Sequence, residues 1–415
     1  MLPDIRTPLP GPKSRALAAR LRSVEARNVT FLPEDDSFPI FWESGDGCLI
    51  TDVDGNCLLD MTSAFGVSAL GHGTTAATAA ISTQASRLLH GMGDVHPSLA
   101  KLELCEQLSQ LSGLADAKVL LGTSGGDAVE AAIKTAILRT GKHRIIAFTG
   151  GYHGLNLGAL NATARADFRM PFQRHLANFV THLPYGDPVH TLLPDTAAVL
   201  VEVIQGRGGV QEISTEWLMN LRSLCDATGA LLIVDEVFTG FWRTGEVFAH
   251  RHHGVTPDII ACGKILGGGM PISACIGSGD AMSGWPVSTG ESIHTSTFLG
   301  HPGGCAAASA TLKALDAMDA RTTVSRLGMY LRNHLDVLAI KHASKIMDIR
   351  GKGLMLGIQM DAPGAAVALS DALLQLGIIT LPAGNGDVLE LTPPFVVQDA
   401  QLDFVVTAID QTLTA

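Results

Sequence analysis

A single lysine, Lys264, stands where the apolar run Ile259-Ile260-Ala261-Cys262 enters a turn, and the glycines Gly267, Gly268 and Gly269 follow it. Upstream, Asp235 closes another apolar run, Leu231-Leu232-Ile233-Val234. A buried amine that can shed its proton forms a Schiff base with a carbonyl. A carboxylate held at a strand end can keep a pyridine nitrogen protonated. Together they point to a pyridoxal phosphate site, in which the cofactor withdraws electrons and the protein tunes it. Asp235 and Val237 lie two residues apart, so on an extended segment their side chains point the same way. One can meet the ring nitrogen while the other packs on the ring face. Lys264, once released by substrate, is placed to move the proton between the substrate carbon and the cofactor.

Two further segments supply what such a cofactor needs. Ser124-Gly125-Gly126-Asp127 opens a helical stretch, and glycines at a helix start expose N–H groups that favour a phosphate. The P-loop lysine and the dinucleotide glycine pattern are both missing there. By itself the segment would also serve as an ordinary helix cap. Gly150-Gly151-Tyr152-His153-Gly154 places one of only three tyrosines after a strand-like run, where its ring can lie on a pyridine.

Positioning these residues takes a particular architecture. Apolar runs at Lys118–Leu121, Arg144–Phe148, Ala197–Val203, Ala230–Val234, Ile259–Cys262 and Ala274–Gly277 alternate with Ala- and Leu-rich helical stretches. Such runs predict an α/β fold with a mostly parallel sheet covered by helices on both faces. In open sheets of this kind ligands bind beyond the carboxyl ends of the strands, where all the residues named above fall. Before this region, residues 1–35 form an arm with a short helical pattern around Ser14–Ala26, and Phe38–Met61 an antiparallel meander. Helical stretches at Thr311–Ala343 and Ala365–Gly377, with strand-like Gly357–Met360 and Val388–Leu391, predict a small α+β domain. The expected division is 1–60 for the arm and part of the small domain, 61–320 for the large domain, and 321–415 for the rest of the small domain.

The bulk properties exclude other classes. At 415 residues the chain exceeds one ordinary core. A net charge of −11 without basic clusters argues against nucleic acid and anionic membranes as partners. The opening residues 1–6 contain no apolar run of a secretory signal, and no stretch is long and apolar enough to span a bilayer. Seven cysteines without zinc or C-x-x-C spacing fit reduced thiols in the cytoplasm. His250-Arg251-His252-His253 has no ligand partners at metal spacing and reads as a solvated helix end; no metal site is expected.

At this level of detail the chain resembles the class-III pyridoxal-phosphate aminotransferases of fold type I, over about Phe38 to Thr412. The resemblance rests on Ser124 to Glu130, Tyr152-His153-Gly154, Glu202-Val203-Ile204-Gln205-Gly206, Asp235 to Gly245, Gly263 to Pro271, Ser296-Thr297-Phe298 and Arg350 to Leu354. It implies cofactor contacts from Ser124, Gly125, Gly126, Tyr152, His153, Glu202, Asp235, Val237 and Lys264, with Lys264 and Asp235 catalytic. It also implies a homodimer with shared sites, Thr297 reaching the phosphate bound to the neighbouring subunit. The implied reaction passes an amino group from an amine or ω-amino acid donor to a keto acid acceptor by a ping-pong mechanism, with pyridoxamine phosphate between the halves. A racemase, epimerase or aminomutase on the same fold stays open, as does a catalytically silent subunit.

Three positions depart from the family pattern. Phe238 stands where a glutamine often faces the cofactor's 3′ oxygen. Arg207 replaces a glutamate, and Glu390 replaces an arginine that in many members is freed from that glutamate to bind a substrate carboxylate. Both charges being reversed, Arg207 and Glu390 read as a swapped pair and as the substrate-facing residues.

Overall fold

The computed structural model describes residues 1–35 and 37–414. It divides into two units. The larger comprises residues 75–325 and 351–355, and the smaller 1–74, 326–350 and 356–415.

The larger unit is built on a seven-stranded sheet. Its order is Lys118–Gly122, Ser273–Gly277, Ile259–Cys262, Leu231–Asp235, Thr196–Val201, Arg144–Phe148 and Val180–Leu183. Five neighbouring strands, from Ile259–Cys262 to Val180–Leu183, run parallel. Ser273–Gly277 runs antiparallel to both of its neighbours and so returns Lys118–Gly122 to the common direction. The sheet is therefore mostly parallel, as its apolar strands predict, with one reversed strand that composition does not betray.

Alternation along each strand divides the core in two. Ile145, Ala147, Ala198, Leu200, Leu231 and Ile233 pack with Ala128, Val129 and Ala132 of helix Gly125–Thr140. Their sequence neighbours Ile146, Phe148, Val199, Val201, Leu232 and Val234 pack with Trp217, Leu218 and Leu221 of helix Thr215–Thr228 on the other face. Because side chains alternate with a period of two, a strand covered on both faces has no polar positions to spare. That is why Thr196–Val201, Leu231–Asp235, Ile259–Cys262 and Ser273–Gly277 are buried throughout.

Helix ends follow local chemistry. Ser214 caps Thr215–Thr228 by accepting the Trp217 N–H, and Gly229 closes it in a left-handed conformation. The stretch read as one helix over 311–343 is two, Pro302–Ala317 and Ala320–Lys341. The break falls at Asp319, whose φ of 47° no helix accommodates.

In the smaller unit Trp42–Asp46, Leu49–Asp52 and Cys57–Asp60 form the expected antiparallel meander, joined by Ile378–Ile379. A second sheet contains Ile346–Lys352, Met355–Met360, Val388–Leu391 and Leu381–Ala383. Among the described residues no helix is long and apolar enough to cross a membrane.

Candidate active site

A cavity of about 290 Å³ opens at the carboxyl ends of the parallel strands of the larger unit. Ser124, Gly125, Gly126, Tyr152, His153, Glu202, Arg207, Asp235, Val237 and Lys264 all line it, so ten of the sequence-read residues meet in one place. Gly154, Leu155, Asn156 and Phe238 complete the wall. The chain reaches it five times: after Lys118–Gly122, Arg144–Phe148, Thr196–Val201 and Ile259–Cys262, and at the last residue of Leu231–Asp235.

The floor is a set of buried acids around one histidine. Asp235 accepts from the Val237 N–H at 3.0 Å through one oxygen and meets His153 Nδ1 at 2.8 Å through the other. Burial works against a charge on His153, but Asp235 outweighs it and holds the imidazole pKa above its ordinary value. Glu202 accepts the Tyr152 N–H at 2.8 Å and the Gly206 N–H at 3.3 Å. Its pKa is pushed up to about 7, by burial first and by the nearby Asp235, with His153 opposing. Behind the floor, Glu236 points away from the cavity and accepts from Thr239, from the backbone of Ala249 and His250 at 2.9 Å each, and from His250 Nδ1 at 2.9 Å. Burial opposes its charge, yet these bonds keep the Glu236 carboxyl below its ordinary range. They fix the loop that leaves Asp235. The histidine run is thus no solvated helix end: His250 and His253 are buried because Glu236 and Thr215 take their ring nitrogens. No group of three metal-ligating side chains is clustered among the described residues.

At the phosphate loop, Ser124 and Asp127 form a reciprocal capping box at the start of helix Gly125–Thr140. Asp127 also receives Thr123 and the Asn156 amide, at 2.7 and 2.8 Å. Burial would raise its pKa, and these bonds lower it below the usual carboxylate range. The first N–H groups of the helix, those of Gly125 and Gly126, have no carbonyl within the helix to receive them. A Cβ at Gly125 would come within 2.8 Å of Val237 Cγ1, so glycine is required for the loop to approach that side chain.

Lys264 follows its strand with φ 47°, a left-handed conformation uncommon for a non-glycine residue. Its Nζ lies 3.5 Å from the centroid of the Phe238 ring. Phe238 in turn packs on Gly206, where a Cβ would fall 2.3 Å from the ring carbon Cδ1. Tyr152 meets Phe168 edge-on at 5.6 Å, and the Arg207 guanidinium lies 5.9 Å from the Tyr152 centroid. Arg207 sits at the tip of a short hairpin, Ile204–Gln205 paired with Gln211–Glu212.

The two remaining sequence-read residues are Thr297 and Glu390. Thr297 occupies an exposed turn and does not line the cavity of its own chain. Glu390 is buried in strand Val388–Leu391 of the smaller unit, whereas Arg207 belongs to the larger. Glu236 and His250 escaped the sequence reading as a pair; the signal was an acid directly after Asp235 on the opposite side of the strand.

These residues suit pyridoxal phosphate: an anion cradle of glycines at a helix start, a buried carboxylate, an aromatic face at Tyr152, the small apolar Val237 and a primary amine.

Comparison with known proteins agrees with this geometry. The family profile described as "Aminotransferase class-III" matches residues 30–413. The acetylornithine aminotransferase of Corynebacterium efficiens is 39% identical over 383 residues, covering 89% of this chain and 92% of the relative. That of Methanosarcina mazei is 35% identical, covering 90% and 91%. Among solved structures, an ornithine aminotransferase of Toxoplasma gondii, described with partial occupancy of PLP at its active site, superposes with a TM-score of 0.85 at 28% identity. It covers 96% of this chain and 93% of its own. An aminotransferase of Bacillus anthracis shares the fold, with a TM-score of 0.88 at 23% identity, covering 97% of this chain and 98% of its own.

Proposed function

The chain belongs to the class-III aminotransferases and is a pyridoxal-phosphate-dependent enzyme, and on that premise we propose how its own residues divide the work and what they act on. Membership favours amino transfer over the isomerisation that residues alone leave open. Bound pyridoxal phosphate supplies a carbonyl that takes up the donor's nitrogen and a ring that withdraws electrons from the neighbouring carbon.

The protein's part follows from the floor and walls. Asp235, fixed by His153 and the Val237 N–H, would hold the proton on the ring nitrogen. The start of helix Gly125–Thr140 would hold the phosphate, with the Ser124 hydroxyl beside it. Tyr152 and Val237 would flank the ring. Lys264 Nζ would hold the cofactor's carbonyl carbon and, when free, would be the base that moves the proton of the amine-bearing carbon. We assign the donor to ω-amino acids, since several relatives are named for acetylornithine, whose reacting amine lies far from its carboxylate, and the acceptor to keto acids. A homodimer in which Thr297 completes the neighbouring site is supported by its position in an exposed turn outside its own cavity. Seven unpaired cysteines support a cytoplasmic location.

The observation carrying this reading is that Lys264, Asp235 and the helix start line one cavity. Purified protein should show the visible absorbance of lysine-bound pyridoxal phosphate, and an amino donor should discharge it. Lys264→Ala should lose the lysine-bound band and at least about 10²-fold in turnover. Wild-type turnover by that variant would refute the assignment.

A further inference from the structure

Among the described residues of the larger unit, one charge in the cavity wall forms no ion pair, that of Arg207. Arg207 is half-buried, and no carboxylate among the described residues of the larger unit lies within ion-pair distance of its guanidinium. The acids nearest in the cavity are engaged elsewhere: Glu202 on the Tyr152 and Gly206 N–H groups, Asp235 on His153. Arg165, the neighbouring arginine, is paired with Asp167 at 2.9 Å. Arg207 has the Tyr152 ring instead, a contact that leaves the edge of the guanidinium and its N–H donors open to the cavity.

Its backbone is also held. The Gly209 N–H donates to the Gly206 carbonyl at 2.9 Å, closing the hairpin tip, while Glu202 ties the Gly206 N–H to the floor. Phe238 presses on Gly206 from one side and lies under the Lys264 amine on the other. Arg207 and the reactive amine are therefore positioned by a shared wall, with apolar surface between them. A fixed guanidinium, a flat ring beneath it and a reacting amine across a hydrophobic gap form a receptor for a planar anion joined by a carbon chain to a reacting nitrogen or carbonyl.

We propose that Arg207 is the residue through which this enzyme holds the carboxylate of its ω-amino acid and keto acid substrates. This rests on the aminotransferase reading and specifies it. In the free state the guanidinium stacks on Tyr152; bound, it gives two parallel N–H bonds to the carboxylate without leaving that ring. It is a specificity-determining residue, remote from the atoms that react.

The test uses holoenzyme of wild type, Arg207→Gln and Arg207→Lys, with cofactor content equalised by absorbance. The first measurement is binding of glutarate, an unreactive dicarboxylate, by calorimetry. The second is the rate at which an ω-amino acid discharges the cofactor band, relative to its uncharged amide. Arg207→Gln should weaken glutarate at least about tenfold and remove a similar factor from the acid-over-amide preference. Arg207→Lys should recover part of both, since charge returns without the bidentate fork. Retention of the wild-type preference by Arg207→Gln, or the absence of any such preference in wild type, would overturn the proposal. If no donor discharges the band in any of the three proteins, the aminotransferase reading itself fails, and that outcome is distinct.

Discussion

The floor and the rim of the cavity are built on opposite terms. On the floor, Asp235, His153 and Glu202 are buried and take their hydrogen bonds from within the larger unit, and Glu236 and His250 repeat the pattern behind them. At the rim, Arg207 is half-buried over a ring; outside the cavity of its own chain, Thr297 is exposed in a turn. A buried charge must be paired because an unpaired one costs several kcal/mol, roughly 3–5 when a partner is removed. A rim charge bears no such penalty and can stay available. On the roles proposed for these residues, the floor would commit the enzyme to one cofactor, while Arg207 would carry the choice of substrate.

The largest effect should come from breaking the floor at its most coupled point. Asp235→Ala removes both the carboxylate facing the cavity and the partner of a buried histidine. Activity should fall about 10²–10⁴-fold, and stability by about 3–5 kcal/mol. Kinetics together with denaturant unfolding measure the two losses. If both stay near wild type, the floor is not the coupled unit described.

That contrast also explains what the sequence discloses. Leu231–Asp235 and Ile259–Cys262 were legible because burial on both faces forces continuous apolar runs, and the residues at their ends follow from strand direction. Val180–Leu183 was not: it is an edge strand, half-buried, and Val-Thr-His-Leu mixes polar with apolar. The reversed direction of Ser273–Gly277 leaves no mark, since a strand covered on both faces looks the same either way. The break at Asp319 was hidden because apolar spacing continues across it. In the site, Lys264, Asp235 and Tyr152 could be read from residue type and place. Glu202 entered through resemblance alone, because an acid after a buried strand has no periodicity to single it out. His250 was misread because its partner, Glu236, is distant in sequence and becomes adjacent only when the loop folds back.

A second experiment sharpens the floor by titration. Glu202 has its pKa raised from 4.5 to about 7, mainly by burial. A carboxyl that holds its proton more tightly when folded contributes stability at low pH that is lost as pH climbs from the unfolded value to the folded one. The raised His153 has the same sign, its contribution fading as pH passes its folded value. Wild-type melting temperature should therefore drop by a few degrees between about pH 5 and pH 7 through Glu202, with the His153 contribution fading at higher pH. Glu202→Gln stays neutral throughout and should flatten that slope. An unaltered slope would mean that Glu202 is charged in the folded protein across this range.

The smallest effect belongs to Thr297, outside the cavity of its own chain, and its smallness is the point. Thr297 is exposed, and surface substitutions of this kind usually change folding stability by less than about 0.5 kcal/mol. Thr297→Ala should therefore unfold like wild type when stripped of cofactor. If Thr297 completes the phosphate site of a neighbouring subunit, losing one hydrogen bond of about 0.5–1.5 kcal/mol should still weaken cofactor retention about two- to tenfold. Sedimentation shows whether the dimer persists, and equilibrium dialysis measures the retained cofactor. A stability loss without a cofactor effect would make Thr297 an ordinary turn residue and confine the phosphate site to Ser124, Gly125 and Gly126 of a single chain. A cofactor effect without a stability loss would place part of the site on the partner, because Thr297 does not line the cavity of its own chain.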